Sequence, residues 1–583
     1  MYTDEKTTQI VIAMLKAYGI KNVVASPGTR NCGFVASIQT DAFFSLYSVV
    51  DERSAMYFAT GLAFEANEPV VVCCTGATAS RNYLSGLTEA FHRRLPVIAL
   101  TFGHEYGNPY NLTPQHVDRS VSQNDVKICS VRLPKVTDNA SKKSCELMLN
   151  VALTKCMNGR RGPVHIDVLY LGRTFTTAEL PQVNRLHYLS VTDMTRNLST
   201  VLKELNEKKV GLFIGSHARM TPALTQAIST FAERCHAPVF VDHTSSYHGR
   251  NKVLIAQICD VMLTENRPNI MIDLGGISGQ YSLSRLFAGA DVWRIGDMDD
   301  IEQRAGTLKY FFDCDEEWFF TRTVKALGEA APAAYHEQIL EELDSMPEAE
   351  PPFSEVFVAQ HLSRKIPAGS ALHVSILNSL RSINFFRFDE NVDISCNVGG
   401  FGIDGAVSTL VGQSVADRNR LYFGQIGDLA FFYDMNVIGN RHLSSNLRIL
   451  MVNNNVGAEF RINPWLEKEL GKDRIEPFIA ARGHNGMARE WVKSCGFEYM
   501  TASGKEEFVR QLDEFCNPDP QHFNRPVFFE VFTRADDETA AIQGMARKTT
   551  PGHEVHCSAG VRLVSCLIPG REARHKFRRD HSK

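Results

Sequence analysis

Two short segments late in the chain carry side chains that could bind a divalent cation. Asp428, in Gly-Asp-Leu at 427–429, follows the apolar segment 421–423, and Asn455 follows the apolar segment 447–452. A carboxylate, an amide oxygen, a main-chain carbonyl and the phosphates of a ligand are the hard oxygen donors that Mg²⁺ prefers. The spacing therefore predicts a magnesium site between two strand ends. The alternative is an ordinary Gly-Asp turn and an unrelated Asn-rich loop, both of which are common in proteins.

Glu52 and Arg30 are the candidate reactive side chains near the amino terminus. Glu52 stands in Asp-Glu-Arg-Ser-Ala at 51–55, at the start of a predicted helix. By itself it is typical of a carboxylate that stabilises the positive end of a helix. Arg30 follows Pro-Gly at 27–28. Its guanidinium could bind a carboxylate through two parallel hydrogen bonds, or it could form a surface salt bridge.

The elements that must position these residues alternate between helix and strand. Apolar residues recur at helical spacing over 8–18, and Gly19 is typical of the residue that follows a helix end. Further predicted elements are strands at 22–25, 69–74 and 96–101 and helices at 54–64 and 79–91. Short apolar strands between helices predict a parallel sheet that is covered on both faces. Cys73 and Cys74 would lie inside one of these core strands.

The same alternation continues in two further units, so the sequence predicts an α/β fold with three doubly wound parallel-sheet domains. The second unit has predicted strands at 209–215, 237–242, 269–275 and 291–296, and the third ends with a strand at 526–532. An acidic, proline-containing linker is predicted at 341–352. The glycines of 275–279 do not form a dinucleotide fingerprint, so NAD and FAD are not predicted. The predicted boundaries are domains at 1–185, 190–340 and 353–545 and a basic, solvated tail at 551–583.

Composition limits the class of protein. The chain has 583 residues, 44% of them hydrophobic and 22% charged, which excludes a disordered or fibrous protein. A net charge of −4 gives no general attraction to nucleic acid or to an anionic membrane. The polar amino terminus and the lack of long apolar stretches predict a cytoplasmic protein without a membrane span. The 14 cysteines form no Cys-x-x-Cys pair, so neither a zinc ribbon nor a disulfide scaffold is predicted.

The motifs, taken in order, resemble those of the thiamine diphosphate enzymes of the pyruvate decarboxylase and acetolactate synthase superfamily. Gly-Asp at 427–428 followed by Asn-Asn at 454–455 is similar to the metal-binding signature of that superfamily. Within it, the chain is most similar to the 2-succinyl-5-enolpyruvyl-6-hydroxy-3-cyclohexene-1-carboxylate synthases of menaquinone biosynthesis. The similar segments lie at 26–31, 51–55, 378–380, 397–405 and 427–429. The resemblance extends to about residue 540.

This resemblance implies thiamine diphosphate and Mg²⁺ as cofactors, together with a set of site residues. The implied metal ligands are Asp428, Asn455 and the main chain of Gly457. The implied cofactor contacts are Glu52, Gly399, Gly402, Ile403, Gly427, Asp428, Leu429, Asn455 and Gly457, with Ile403 as the apolar wedge that keeps the cofactor bent. The implied substrate contacts are Thr29, Arg30, His104, Gln115, Ser379 and Arg381.

The resemblance also implies a lyase or transferase mechanism in which Glu52 is the catalytic residue. Its carboxylate would hydrogen-bond the aminopyrimidine ring and favour the imino form, which removes a proton from the thiazolium carbon. The resulting ylid would attack a 2-oxo acid, and the enamine left after loss of carbon dioxide would form a carbon–carbon bond with an acceptor. The family arrangement implies a homodimer or homotetramer, since the glutamate domain of one subunit faces the diphosphate domain of its neighbour.

Three departures from the synthase pattern concern the substrate pocket. Arginines of that family fall at His104, Ile383 and Val398 in this chain, and each loss removes a charge-assisted hydrogen bond worth about 1.5–3 kcal/mol. The main hypothesis is therefore a related decarboxylase and carboligase whose donor carries less charge than 2-oxoglutarate and whose carbonyl or enoyl acceptor is unknown. The alternative within enzymes is the synthase that joins decarboxylated 2-oxoglutarate to isochorismate, with Arg381, His104 or Arg81 as the compensating cation. A third hypothesis is a catalytically silent assembly protein that keeps the fold.

Overall fold

The computed structural model describes most of the chain. The described residues are 1–103, 112, 114–115, 117–118, 122–169, 174–258, 267–280, 283–327, 335–344, 350–462, 464–484 and 488–548. His104 and the tail at 551–583 lie outside the described residues. Within the described ranges, no helix is both long enough and apolar enough to cross a membrane.

The first sheet has six parallel strands in the order β2-β1-β3-β4-β6-β5. Its strands are β1 Asn22–Ala25, β2 Ser45–Ser48, β3 Val70–Thr75, β4 Val97–Phe102, β5 Cys129–Arg132 and β6 Val164–Val168. Its helices are Lys6–Ala17, Cys32–Ile38, Glu52–Ala66, Thr78–Asn82, Leu84–His92 and Asn139–Met157. Successive residues of β3 enter two different hydrophobic clusters, with Val71 on one face and Val72 on the other. The sheet is therefore buried on both faces, which is why its strands are almost wholly apolar.

The middle sheet has seven parallel strands in the order β10-β9-β8-β11-β12-β13-β7. Its strands are β7 His187–Ser190, β8 Val210–Ile214, β9 Val239–Val241, β10 Lys252–Leu254, β11 Ile270–Leu274, β12 Asp291–Gly296 and β13 Thr307–Asp313. Its α-helices within the described ranges are Val191–Glu207, Pro222–Arg234, Leu283–Leu286, Glu316–Ala326 and Tyr335–Asp344. Three short 3₁₀ helices lie at His243–Ser245, Ile255–Gln257 and Met298–Asp300.

The third sheet has six parallel strands in the order β15-β14-β16-β17-β19-β18. Its strands are β14 Ala371–Val374, β15 Asp393–Cys396, β16 Tyr422–Gly427, β17 Leu447–Asn453, β18 Glu498–Ala502 and β19 Val527–Phe532. Its α-helices within the described ranges are Glu355–Lys365, Asn378–Ile383, Ala406–Ser414, Asp428–Asp434, Glu459–Ile462, Pro464–Leu470, Lys472–Arg474, Arg489–Ser494, Lys505–Phe515 and Ala535–Lys548. A 3₁₀ helix at Met435–Gly439 and a π-helix at Ile475–Ile479 complete this part.

The three doubly wound parallel sheets confirm the predicted fold class, and several elements differ in their bounds. The predicted helix at 79–91 is two helices, Thr78–Asn82 and Leu84–His92. The linker predicted at 341–352 is wrong for residues 341–344, which form the last turn of the helix Tyr335–Asp344. The middle sheet includes β7, which begins at His187, three residues before the boundary predicted at 190. The exact domain boundaries remain a prediction.

Cys73 and Cys74 lie fully buried in β3, as predicted from their apolar neighbours. Burial raises the pKa of the Cys73 thiol to about 12, because the apolar interior disfavours the thiolate. The cysteines in the described segments are free thiols. These two residues thus have a packing role.

Candidate active site

The first half of the candidate site lies at the carboxyl edge of the first sheet, where the strand order reverses between β1 and β3. Ligands of open α/β sheets bind in the crevice beyond such a reversal point. Arg30 follows β1, Glu52 follows β2, and the turn at 76–77 follows β3. Gly28 permits this arrangement, because a Cβ atom at that position would lie 2.3 Å from Thr75 Oγ1.

Glu52 is the first residue of the helix Glu52–Ala66. Asp51 precedes it as the N-cap, and one of its carboxylate oxygens accepts a hydrogen bond from Ser54 N at 2.8 Å. This bond lowers the pKa of Asp51 below its ordinary value. Because Asp51 satisfies the helix end, the half-buried carboxylate of Glu52 is not needed as the cap. Capping of the helix by Asp51 therefore weakens the alternative in which Glu52 serves only to stabilise the helix start.

Arg30 and Gln115 meet, although 85 residues separate them in the chain. Gln115 Oε1 accepts hydrogen bonds from Arg30 Nε at 3.2 Å and from Arg30 Nη2 at 3.0 Å. Thr29, the other predicted substrate contact here, is exposed. The structure thus brings three predicted substrate residues to one edge of the sheet.

Arg81, a predicted compensating cation, lines a cavity of about 410 Å³ in the first domain. Its Nη2 atom donates to the main-chain carbonyl of Asp118 at 2.8 Å. The cavity floor includes Thr101 of β4 and His165 of β6, whose Oγ1 and Nε2 atoms lie 2.8 Å apart. Arg81 therefore borders this cavity, with its guanidinium bonded to the main chain of Asp118.

The second half of the candidate site lies at the reversal point of the third sheet, between β14 and β16. Asp428 directly follows β16 and is 3% exposed. Its Oδ1 accepts from Leu429 N at 2.7 Å, and its Oδ2 accepts from Asn455 N at 2.7 Å and from His484 Nε2 at 3.0 Å. A carboxylate offers about four lone-pair positions, so three hydrogen bonds leave room for a cation.

Asn455 lies in the loop that follows β17, and its main-chain N–H bonds it to Asp428, whereas its side-chain amide is exposed. Its φ angle is +61°, a left-handed conformation that asparagine tolerates better than most residues. Gly457 lies two residues later and donates its N–H to Ala480 O at 2.6 Å. A Cβ atom there would lie 3.1 Å from Phe460 and 3.2 Å from that same carbonyl, so a side chain would crowd the loop.

Glycines line the open side of this crevice. A Cβ atom built on Gly399, Gly400 or Gly427 would meet nothing within 4 Å, so these backbones border free space. Gly402 is different, because its Cβ would lie 2.4 Å from Asp404 Oδ1. Ile403 is half-buried and packs against the clusters on both faces of the sheet. Open backbone beside an acidic, amide-rich turn fits a bulky diphosphate with Mg²⁺.

Ser379 and Arg381 lie on the short helix Asn378–Ile383 that follows β14. Ser379 is 2% exposed, and its Oγ donates to Glu355 Oε1 at 2.5 Å. Arg381 forms a bidentate ion pair with Glu459, through Nη1 to Oε2 at 2.8 Å and Nη2 to Oε1 at 3.1 Å. Both side chains therefore already have strong partners within the chain.

Two positions at which the resemblance implied arginine are apolar core positions here. Ile383 is 0% exposed and Val398 is 4% exposed, and both belong to the main cluster of the third sheet. A Cβ atom on Gly279, from the middle domain, would lie 2.2 Å from Leu380 and 3.9 Å from Val398. Gly279 of the middle domain thus packs closely against Leu380 and leaves no room for a side chain of its own.

The structure adds three side chains that the sequence did not single out. Glu355 and Glu538 are buried carboxylates next to the candidate site, and His484 contacts Asp428. Polar residues within the apolar segments at 354–359 and 538–542 are a weak sequence signal, because burial of a charge cannot be read from composition. Their proximity to Asp428 depends on contacts between residues far apart in the chain.

The two halves of the candidate site belong to different sheets. No hydrogen bond or ion pair among the described residues joins Glu52 to Asp428 or Asn455. Each half separately has the groups that thiamine diphosphate and Mg²⁺ require: a carboxylate beside a helix start, and oxygen donors beside open glycine backbone. The donor set therefore fits this cofactor pair.

Comparison with known proteins gives one family model that matches the amino-terminal part and several relatives that match over nearly the full length. Residues 5–125 match the family described as thiamine pyrophosphate enzyme, N-terminal TPP binding domain. A protein named 2-succinyl-5-enolpyruvyl-6-hydroxy-3-cyclohexene-1-carboxylate synthase from Phocaeicola vulgatus is 28% identical, over 93% of this chain and 98% of its own length. Proteins of the same name from Bacteroides thetaiotaomicron and Flavobacterium johnsoniae are 27% and 26% identical, over 93% and 94% of this chain and 98% and 100% of their own lengths. These findings confirm the resemblance drawn from the sequence motifs.

Proposed function

We propose that this chain, a thiamine pyrophosphate-dependent enzyme by its N-terminal domain, is a magnesium-dependent carboligase that decarboxylates a 2-oxo acid and transfers the remaining carbons to an acceptor. The first candidate donor and acceptor are 2-oxoglutarate and isochorismate, because the full-length relatives are named as the synthases of that product. The observation that carries the proposal is the position and bonding of Asp428. It lies at the reversal point of the third sheet and is bonded to the main chain of Asn455.

Each half of the site has a distinct task in this proposal. When bound, thiamine diphosphate supplies the carbon nucleophile and the electron sink for loss of carbon dioxide. Asp428, the side-chain oxygen of Asn455 and the carbonyl of Gly457 would bind Mg²⁺ and so hold the diphosphate. Glu52 would hold a proton against the aminopyrimidine ring, a general acid–base role worth about 10²–10⁴ in rate. Arg30, oriented by Gln115, would bind a substrate carboxylate.

A homo-oligomer would bring Glu52 of one copy to Asp428 and Asn455 of a second copy. The helix that begins at Glu52 exposes Tyr57, Phe58 and Phe64, with 47%, 44% and 57% of each residue accessible. Val50, just before the helix, is 74% exposed. Clustered exposed apolar side chains mark interaction surfaces. We therefore propose that this face packs against a second subunit, in a homodimer or homotetramer.

Turnover of defined substrates tests the proposal directly. The purified chain with thiamine diphosphate, Mg²⁺, 2-oxoglutarate and isochorismate should release carbon dioxide and form the condensed product, detected by mass spectrometry. Omission of isochorismate should abolish the condensed product. If no 2-oxo acid from a broad panel is decarboxylated while the cofactor binds, the chain is a silent relative and the proposal is wrong.

A second candidate is a carboligase with a less charged donor, and the apolar pocket positions favour it. Ile383 and Val398 are buried, and Arg381 is paired with Glu459, so fewer cations face a second substrate carboxylate. The same donor panel separates the two candidates. A kcat/KM for pyruvate or another monocarboxylate above that for 2-oxoglutarate supports the altered donor, whereas a preference for 2-oxoglutarate supports the synthase. The names of the relatives favour the synthase.

A further inference from the structure

A buried glutamate, Glu355, lies beside β14 and β16 of the third sheet, where it contacts Ser379 and Gln425. It is not one of the proposed metal ligands. It is the first residue of the helix Glu355–Lys365, which Ser354 caps, and it is 2% exposed. Its Oε1 accepts from Ser379 Oγ at 2.5 Å and from Gln425 Nε2 at 3.4 Å. Burial of a carboxylate is costly unless hydrogen bonds compensate it, so this placement needs a structural reason.

The hydrogen bonds from Glu355 form a chain that ends at Gly427, directly before Asp428. Gly427 N donates to Ser375 Oγ at 3.1 Å, and Ser375 Oγ lies 2.8 Å from Ser379 Oγ. A main-chain N–H can only donate, so Ser375 accepts there and can give its own hydrogen to Ser379. Ser379 then gives its hydrogen to the carboxylate of Glu355. Each hydroxyl is used once as an acceptor and once as a donor, in a single direction.

The position of this chain in the sheet explains what it fixes. Ser375 follows β14 and Gly427 ends β16, the two neighbouring strands at which the strand order reverses. Gly427 directly precedes Asp428. Leu377, between the two serines, has φ +72° and ψ −118°, a strained backbone that persists only where surrounding contacts hold it. The hydroxyl chain is thus part of what keeps this turn in place.

The last described helix reaches the same point. Both carboxylate oxygens of Glu538 accept from Glu355 N, at 3.0 and 2.9 Å, and Thr533 Oγ1 donates to Glu538 at 2.6 Å. Glu538 lies in the helix Ala535–Lys548 and is 2% exposed. The main chain and the side chain of Glu355 are therefore both fixed by hydrogen bonds, which leaves its carboxylate little freedom to turn away from Ser379.

We propose that Glu355 is a positioning residue, which holds the Gly427–Asp428 turn in its cofactor-binding geometry through Ser379 and Ser375. This inference rests on the proposed function for the identity of the ligand, but the hydrogen-bond chain exists without it. Ser379 accordingly acts through its buried hydroxyl on the loop, in place of the substrate contact that the resemblance implied. Glu538 supports Glu355 by accepting hydrogen bonds from its main-chain N–H.

Amide hydrogen exchange of the protein without cofactor gives the first test. In Glu355→Ala and Ser379→Ala, a peptide spanning 422–434 should exchange about tenfold faster, because Gly427 N loses an ordered acceptor. Ser363→Ala removes a buried hydroxyl from the far end of the same helix and should leave this peptide unchanged. Unchanged exchange in both test variants would overturn the proposal, whatever the protein binds.

Cofactor affinity gives the second test. Calorimetric titration with thiamine diphosphate and Mg²⁺ should show a dissociation constant raised at least tenfold in Glu355→Ala and in Ser379→Ala. The double variant should be little weaker than either single one, because both lie on one chain. Glu355→Gln keeps an acceptor oxygen and should stay within about threefold of the unaltered protein.

The outcomes separate this inference from the proposed function. If the unaltered chain binds the cofactor and the variants bind equally well, only the positioning role is wrong. If the unaltered chain fails to bind thiamine diphosphate, the proposed function is wrong and the exchange result alone decides the role of Glu355. If Glu355→Ala does not fold, Ser379→Ala and Ser375→Ala test the same chain.

Discussion

The carboxylates near the candidate site differ in burial and in the number of hydrogen-bond donors around them, and these differences decide what each one can do. Glu52 is half-buried at a helix start that Asp51 already caps, so it is available for a ligand. Asp428 is buried, but two main-chain amides and His484 stabilise its charge. Glu355 and Glu538 are buried with fewer donors, and burial raises the pKa of each. The same chemical group thus serves as candidate base, metal ligand or positioning residue.

Glu52→Gln should abolish turnover while the cofactor still binds. The amide keeps the size and the hydrogen-bonding capacity of the side chain but cannot hold and return a proton, so kcat should fall by about 10²–10⁴. Steady-state carbon dioxide release and calorimetric titration of thiamine diphosphate measure the two effects. Glu65→Gln, an exposed position on the same helix, is the matched control. Full activity in Glu52→Gln would remove this residue from the mechanism.

The Glu355–Glu538 pair should make stability fall as the pH rises. Burial, with the neighbouring carboxylate adding for Glu538, raises the pKa of Glu355 from 4.5 to about 7 and that of Glu538 from 4.5 to about 8. The folded state therefore binds protons that the unfolded state releases. The stabilisation is fully present below about pH 4.5 and is lost as the pH rises to about 8.

Urea unfolding of the cofactor-free protein at several pH values measures this effect. Glu538→Gln should flatten the decline of the unfolding free energy between about pH 5 and pH 8, because the amide does not titrate. Glu506→Gln, at an exposed position, should keep the original slope. An unchanged slope in Glu538→Gln would mean that the pair titrates normally.

Helices and strands bring the candidate residues together because the ends of parallel strands share one edge of a sheet. In the first and third sheets, the candidate groups follow the strands at which the order reverses. The helix Asn378–Ile383 shows that an element can also withhold a residue. Its face presents Arg381 to Glu459 and directs Ile383 into the core. Side-chain direction on an element therefore decides whether a nearby cation is available.

Ile383→Arg should destabilise the protein and should not improve use of 2-oxoglutarate. The guanidinium would enter an apolar cluster at a position that is 0% exposed. The free energy of unfolding should therefore fall by about 3 kcal/mol or more. Ile383→Val, which removes one methylene, should cost only about 1 kcal/mol. Urea unfolding and the KM for 2-oxoglutarate provide the measurements. A stable Ile383→Arg protein with a lower KM would show that this position faces the substrate.

At the scale of the whole molecule, the proposed site is complete only between domains. Glu52 belongs to the first sheet and Asp428 to the third, and exposed aromatic side chains lie on the helix that starts at Glu52. A second copy of the chain would cover that apolar face and supply the missing half. Oligomerisation and catalysis would then depend on the same surface.

Mixing two inactive variants tests whether sites are shared between subunits. Glu52→Gln and Asp428→Ala should each be inactive alone. After subunit exchange at equal amounts, half of the dimers are mixed and one of their two sites is intact, so activity should return to about a quarter of the original. Differently tagged subunits confirm the exchange. No recovery despite exchange would contradict a site shared between copies.

Sequence alone determined the fold class and the identity of the main candidate residues. Alternating apolar strands and helices predicted the three parallel sheets, because burial on both faces demands such strands. The motifs around Glu52, Asp428 and Asn455 were visible because they depend on short, ordered spacings. The resemblance that they carry is confirmed by the family match and by the full-length relatives.

Tertiary structure decided the state of each side chain. Contacts between residues distant in the sequence pair Arg381 with Glu459 and link Glu355 to Gly427 through hydrogen bonds. Packing between distant elements likewise buries Ile383 and Val398. Periodicity reports which face of an element is apolar, whereas charge, desolvation and hydrogen-bond direction depend on what packs against that face. For that reason the sequence could propose the candidate residues, whereas their burial and their hydrogen-bond partners had to come from the tertiary structure.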